Sequence, residues 1–129
     1  MELCLIDTSA WIEALRTDGD ANVRRRVAGL LTEGRACLAD IVLLELWNGA
    51  RGDREKKELA RIEQTLAVLD TNPNVWRLAL DLARACRAQG ATVPSTDLLV
   101  YACARHHGAE IEHYDEHFEV IRRATSSPA

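Results

Sequence analysis

The sequence Leu3-Cys4-Leu5-Ile6-Asp7-Thr8-Ser9 decides the fold, because a short apolar run ends there in a carboxylate and two hydroxyls. An unbroken apolar run of this length is typical of a strand that is covered on both faces of a parallel sheet. A carboxylate is costly to bury unless it is paired or binds a metal. Ligands of open α/β sheets bind beyond the carboxyl ends of the strands. Asp7 is therefore a candidate site residue, and other polar groups should join it there.

Strand and helix patterns alternate along the rest of the chain. Apolar runs predict strands over 3–6, 36–39, 66–69 and, more weakly, 110–113. Helical periodicity and capping residues predict helices over 10–15, 21–33, 41–49, 54–64, 73–89, 97–107 and 116–121. This alternation predicts an α/β fold with a central parallel sheet and helices on both faces. Without a visible linker, we expect one domain over residues 1–124 and a flexible tail over 125–129.

Composition limits the class of protein. A chain of 129 residues with 47% hydrophobic residues can bury a core of its own. It has no apolar run of membrane-spanning length and no signal-peptide pattern, so we expect a cytoplasmic protein that does not enter the membrane. A net charge of −4 argues against nucleic-acid binding through bulk positive charge alone. The four cysteines lack C-x-x-C spacing and are expected to be reduced core thiols.

Four carboxylates stand apart from the acidic residues on polar helix faces. Asp7 follows an apolar strand, Glu45 lies within an apolar helix, Asp97 opens a buried-looking helix, and Asp115 follows the last predicted strand. Taken singly, each could be a helix cap or, for Glu45, could pair with an arginine. Gathered in one partly buried site they would repel one another. A divalent cation removes that repulsion, and oxygen ligands suit Mg²⁺, with Mn²⁺ as a substitute.

Hydroxyl groups accompany these acids in the sequence. Thr8 and Ser9 follow Asp7, and Thr96 precedes Asp97. Hydroxyls of this kind commonly orient metal-binding carboxylates by hydrogen bonding. We therefore expect Thr8, Ser9 and Thr96 to hold the acids in place.

Four stretches of the chain carry a resemblance to a known family: LIDTSAWIEAL (5–15), LLELWNG (43–49), VPSTDLLVYACA (93–104) and IEHYDEHFEVI (111–121). The chain resembles the PIN-domain ribonucleases, and specifically the VapC toxins of type II toxin–antitoxin pairs. The resemblance implies a PIN-like fold with a parallel sheet of about five strands and a Mg²⁺-dependent endoribonuclease. By stretch, the family's four acidic site residues correspond to Asp7, Glu45, Asp97 and Asp115. The resemblance also implies a homodimer and a small VapB-type antitoxin that blocks the site.

The last stretch departs from the family pattern. The family often has T-x-D-x-D-F there, whereas this chain has His113 in place of the threonine and His117 in place of the second aspartate. Asp115 is retained, so the acidic set is intact. Whether one metal ion binds or two depends most on this end of the site and stays open.

Two other functions remain open at this point. Cys103, His106, His113 and His117 have the C-x₂-H and H-x₃-H spacing of zinc ligands, which would make this a zinc-binding domain. A catalytically inactive PIN-like module that binds RNA or protein is the other alternative, although such a module would usually have lost one of the acids.

Two tryptophans lie next to the predicted site residues in sequence. Trp11 and Trp47 are close to Asp7 and Glu45, and each is either a core residue or part of a partner groove. We hypothesise that the antitoxin packs against them.

Overall fold

Four parallel strands form the sheet in the computed structural model, which describes residues 2–126. They are β1 (Cys4–Ile6), β2 (Ala36–Ala39), β3 (Ala67–Leu69) and β4 (Glu110–Glu112). Their order in the sheet is β3-β2-β1-β4, and every neighbouring pair is parallel. The predicted α/β class is confirmed. The described residues contain four strands rather than about five, because helices occupy the chain between β3 and β4 and the chain beyond β4.

Seven helices are present in the same residues. They are α1 (Thr8–Leu15), α2 (Ala21–Thr32), α3 (Asp40–Asn48), α4 (Gly52–Thr65), α5 (Pro73–Ala88), α6 (Ser95–His106) and α7 (His117–Thr125). Two helices separate each strand from the next along the chain. The predicted elements are all found with small shifts of their ends. Of the predicted tail, Thr125 belongs to α7, while residues 127–129 lie outside the described residues.

The core lies on both faces of the two central strands. Leu5, Ile6 and Leu38 have no exposed surface, which explains why these strands are apolar without alternation. The four cysteines are free and buried, as expected. Burial raises the pKa of Cys37 to about 12, so this thiol stays protonated at neutral pH.

The strand order places β1 at a topological switch point. The chain leaves β1 towards β2 and β3 on one side, and β4 later pairs with β1 on the other side. The carboxyl ends of β1 and β4 therefore meet where ligands usually bind in open α/β sheets. In residues 2–126 the helices are all too short or too polar to cross a membrane.

Candidate metal centre

Asp7 is held by hydrogen bonds at the carboxyl end of β1. Its backbone N–H donates to the carbonyl of Glu112 at 2.9 Å, which continues the pairing with β4. Its Oδ2 accepts hydrogen bonds from the backbone N–H of Ser9 at 3.0 Å and from Ser9 Oγ at 2.6 Å. Asp7 thus caps α1, yet it is only 3% exposed. A cap needs no such burial, so capping alone does not account for this carboxylate.

Asp97 lies in the first turn of α6 and is 8% exposed. Burial raises its pKa to about 7, with the negative charges of Asp115 and Asp7 adding to the rise and His117 opposing it. Asp7 and Asp115 are therefore each close enough to Asp97 to repel its negative charge. Among residues 2–126, the ring of His117 contacts both Asp97 and Asp115, and no arginine or lysine forms an ion pair with Asp7, Asp97 or Asp115.

Asp115 and His117 come from the turn between β4 and α7. Asp115 Oδ1 accepts a hydrogen bond from the backbone N–H of His117 at 2.9 Å. The ring Nδ1 of His117 lies 2.7 Å from Asp115 Oδ1 and 3.4 Å from Asp97 Oδ2. One ligand-capable atom from each of Asp97, Asp115 and His117 lies within 4.8 Å of the other two. This separation is suitable for binding one cation.

Glu45, on α3, is linked to the site by a hydrogen bond from a hydroxyl group. Its Oε1 accepts a hydrogen bond from Thr8 Oγ1 at 2.8 Å, and Thr8 follows Asp7 directly. Glu45 is not one of the three residues that form the compact group, so its link to the centre runs through Thr8.

Ser9 connects two parts of the site. Its Oγ donates to Asp7 and also accepts a hydrogen bond from the backbone N–H of Tyr114 at 2.9 Å. The start of α1 is thereby tied to the turn that carries Asp115. Thr96 is half-buried, and in the described part of the chain no side-chain hydrogen bond joins it to the acids.

The zinc quartet predicted as an alternative is wrong. In residues 2–126, the compact group is Asp97, Asp115 and His117, and it includes neither Cys103 nor His106. Cys103 Sγ lies 3.9 Å from the carbonyl of Leu69, and burial raises its pKa to about 11. Six residues after Asp97, Cys103 is about 9 Å further along α6 and on another face of the helix.

The ring nitrogens of His113 and His106 likewise contact other groups. His113 Nδ1 accepts a hydrogen bond from the backbone N–H of Asp115 at 3.3 Å, and its ring packs against Phe118 with centroids 4.8 Å apart. His106 Nε2 lies 3.2 Å from Asn72 Nδ2. The sequence identified His117 as a departure from the family pattern, but only the tertiary structure shows that it joins the acids without the other predicted zinc ligands.

A comparison with protein families gives a match to the PIN domain over residues 4–124. The chain belongs to the PIN-domain family. This PIN domain is 37% identical to ribonuclease VapC11 of Mycobacterium tuberculosis over 134 aligned positions, which cover 98% of the chain and 97% of the relative. The VapC ribonucleases are thus its relatives within the family, as the sequence resemblance indicated.

Solved structures share the fold of this PIN domain. VapBC-1 from nontypeable Haemophilus influenzae matches with a TM-score of 0.72 and 18% identity, covering 94% of this chain and 93% of the other. VapC20 of M. tuberculosis, described as a sarcin–ricin loop cleaving toxin, matches with a TM-score of 0.67 and 23% identity, covering 90% and 92%. At these identities the structural likeness concerns the fold alone.

Proposed function

We propose that this PIN domain is the toxin of a type II toxin–antitoxin system, a cytoplasmic Mg²⁺-dependent endoribonuclease for which Mn²⁺ can substitute. The observation that carries the proposal is the compact group of Asp97, Asp115 and His117, with Asp7 close enough to raise the pKa of Asp97 and with no lysine or arginine of residues 2–126 in an ion pair with these acids. A cation bound beside Asp97 would favour the ionised form of this buried carboxylate, whose pKa is raised to about 7. The names of the VapC ribonucleases among its relatives support RNA as the substrate.

The residues present fit a divalent cation of this kind. Asp97 and Asp115 would hold it, Asp7 would approach from the end of β1, and Glu45 would complete the acidic set. When bound, the cation would lower the pKa of a coordinated water and stabilise charge that develops on the phosphate.

The chain's own residues would supply orientation. Ser9 fixes the carboxylate of Asp7 through two hydrogen bonds, and the Thr8 hydroxyl directs Glu45 towards the site. Rigidly held oxygens can align a water for attack on phosphorus in line with the leaving oxygen. We propose that Glu45 orients that water, while Asp7, Asp97 and Asp115 bind the cation.

The experiment that tests this proposal is sequencing of RNA ends after incubation with antitoxin-free protein and Mg²⁺ or Mn²⁺. We expect new 5′ ends with the wild type, no new ends with Asp7→Asn, and unchanged cleavage with Asp81→Asn, whose carboxylate is on the exposed surface of α5. Absence of cleavage by the wild type with either cation would instead favour the inactive PIN-like binding module.

We propose that the antitoxin binds the groove between α1, α3 and α4. This groove of about 530 Å³ is lined by apolar and charged side chains, among them Ile12, Leu15, Leu46, Arg16, Arg51, Arg54, Asp18 and Glu55. The apolar side chains, with three arginines against two acids, suit a helix with an apolar face and an acidic edge. The C-terminal tail of a bound antitoxin could then reach the acids.

The two tryptophans differ in exposure, so that only Trp47 is available for direct contact with the antitoxin. Trp11 is 1% exposed and packs in the core, so any effect on the antitoxin is indirect. Trp47 is 38% exposed, and its Nε1 donates to Glu63 on α4 at 2.8 Å. We expect Trp47→Ala to weaken antitoxin binding in a titration of purified components. Undiminished binding by a folded Trp47→Ala protein would contradict this contact.

A second copy of the chain is the other protein partner that we propose. Leu44, Trp76 and Leu80 are 63%, 54% and 55% exposed, and large apolar side chains that are exposed together often mark an interaction surface. Leu44 and Trp76 line a shared depression of about 380 Å³ between α3 and α5. We propose that a homodimer forms through this surface, which we call the α3–α5 patch and define by Leu44, Trp76 and Leu80.

A further inference from the structure

His117 places a nitrogen atom among the carboxylate oxygens of the candidate metal centre. Its Nδ1 has essentially no exposed surface and makes no hydrogen bond within residues 2–126, although Asp115 Oδ1 is only 2.7 Å away. Buried polar atoms are almost always hydrogen-bonded, so an atom of this kind requires an explanation. A lone pair of Nδ1 that is directed at a bound cation would explain this atom. A cation there would also agree with the negative charges of Asp97 and Asp115.

The backbone fixes the position of this ring. His117 is the first residue of α7, and its N–H donates to the same Asp115 oxygen that lies beside Nδ1. Its Nδ1 is also 3.4 Å from Asp97 Oδ2, so the nitrogen lies between two carboxylates from different elements. A cation bound to both carboxylates would also lie within reach of this nitrogen.

His113 provides an internal comparison. It lies two residues before Asp115, as His117 lies two residues after it, but its Nδ1 already accepts a hydrogen bond from the backbone of Asp115. Its ring is packed against Phe118. Of these two histidines, only His117 directs an unpaired nitrogen at the carboxylates.

We propose that Nδ1 of His117 coordinates the divalent cation and shifts the preference of the centre from Mg²⁺ towards Mn²⁺. Mg²⁺ strongly favours oxygen ligands, whereas Mn²⁺, which also accepts carboxylates, is a first-row transition metal and accepts an imidazole nitrogen more readily than Mg²⁺ does. The inference rests on the proposed function, because it concerns the same metal centre. It also gives a chemical meaning to the replacement of the family's second aspartate by histidine at this position.

Pulsed electron paramagnetic resonance of the Mn²⁺-loaded protein tests the proposal without measuring activity. A directly bound imidazole nitrogen modulates the electron spin echo of Mn²⁺. We expect ¹⁴N modulation in the wild type and its loss in His117→Asp, which restores an all-oxygen set. The modulation should persist in His113→Asn, whose amide oxygen can still accept the hydrogen bond from the Asp115 backbone.

A competition experiment on the same samples measures the preference itself. We expect the Mg²⁺ concentration that displaces half of the Mn²⁺ to be higher for the wild type than for His117→Asp, and similar for the wild type and His113→Asn. Equal values for the wild type and His117→Asp would overturn the claim about preference.

The outcomes separate this inference from the proposed function. Mn²⁺ binding without ¹⁴N modulation in the wild type would overturn the nitrogen ligand and leave the metal-dependent ribonuclease standing. Failure of the wild type to bind either cation would overturn both. The wild-type spectrum is decisive even if His117→Asp does not fold, which circular dichroism would reveal.

Discussion

Burial opposes ionisation of the Asp97 carboxylate, whereas a bound cation would favour the ionised form. Its carboxylate is buried beside Asp115 and Asp7, and its pKa rises from 3.8 to about 7. Because the folded-state pKa lies above the unfolded one, ionisation of Asp97 destabilises the metal-free fold. This destabilisation is absent below the unfolded value and fully present once the pH exceeds the folded value. At alkaline pH the metal-free protein therefore retains a charge repulsion that a cation would relieve.

Asp97→Asn should stabilise the metal-free protein at pH 8. The substitution keeps the shape of the side chain and removes one of the repelling charges, so we expect the free energy of unfolding to rise by about 1–2 kcal/mol, less than the full pKa shift would imply. Urea unfolding with chelator present measures this change. At pH 4 the two proteins should differ much less, and a stability difference that is the same at both pH values would contradict the electrostatic origin.

Cation binding should stabilise the wild type more than Asp97→Asn, which is the reverse of the order expected for the metal-free proteins. A cation at about 100 times its dissociation constant stabilises a folded protein by about 2.7 kcal/mol. We expect Mn²⁺ to give a gain of this order in the wild type and little gain in Asp97→Asn.

Thr8 allows the contribution of Glu45 to be tested without changing an acid. Thr8→Val removes the hydroxyl that donates to Glu45 Oε1 and leaves the side-chain shape similar. Loss of such an orienting hydrogen bond commonly lowers activity by about 10–100-fold. We expect a decrease in RNA cleavage within that range. The matched control is Thr65→Val, whose hydroxyl donates to backbone carbonyls of its own helix, α4. An equal loss in both variants would contradict a role for the Thr8–Glu45 contact.

At the level of elements, sequence reasoning succeeded where burial dictates the pattern. The predicted strand over 36–39 coincides with β2, because a strand covered on both faces must be continuously apolar. The N-terminal end of α5 was predicted as well, since Asn72 caps it and Pro73 occupies the first turn. The C-terminal end of α7 was placed four residues too early, because only Phe118 and Ile121 mark its buried face.

The site was predicted less completely than the fold. Asp7, Asp97 and Asp115 could be singled out because each follows or opens an apolar element. The contact of Asp97 with His117 depends on how α6 packs against the turn after β4. No local sequence pattern encodes that packing. Zinc-like spacing was misleading for the same reason, since spacing along the chain does not specify which helix face meets the site.

The turn between α1 and α2 should tolerate no side chain at Gly19. A Cβ atom there would lie 1.8 Å from the carbonyl oxygen of Glu13, so the backbone would have to move. We expect Gly19→Ala to lower the free energy of unfolding by about 1–3 kcal/mol, the range for overpacked sites. Gly29→Ala is the matched control: it lies within α2 with open space around it, and alanine there should stabilise by about 0.5–1 kcal/mol. Urea denaturation of both variants measures these opposite signs, and a shared sign would be incompatible with the steric argument.

At the level of the whole molecule, the α3–α5 patch predicts self-association. Trp76→Glu introduces a charge where we propose that two copies meet, so it should shift the protein from dimer to monomer in sedimentation velocity. Leu31→Glu is the matched control, because Leu31 is also exposed, at 41%, but lies on α2. A Trp76→Glu protein that remains dimeric would place the interface elsewhere.

The pairing of β1 with β4 has a consequence for the cell that makes this protein. The first and last described strands are neighbours, in a register that matches Cys4 with Glu110. Asp7 is synthesised long before Asp97 and Asp115. An incomplete nascent chain therefore contains only part of the acidic set. By the proposed function, such a chain would be harmless to the RNA around it. Toxicity would begin only after the ribosome has passed the codon for Asp115, which leaves time for an antitoxin translated alongside to be ready.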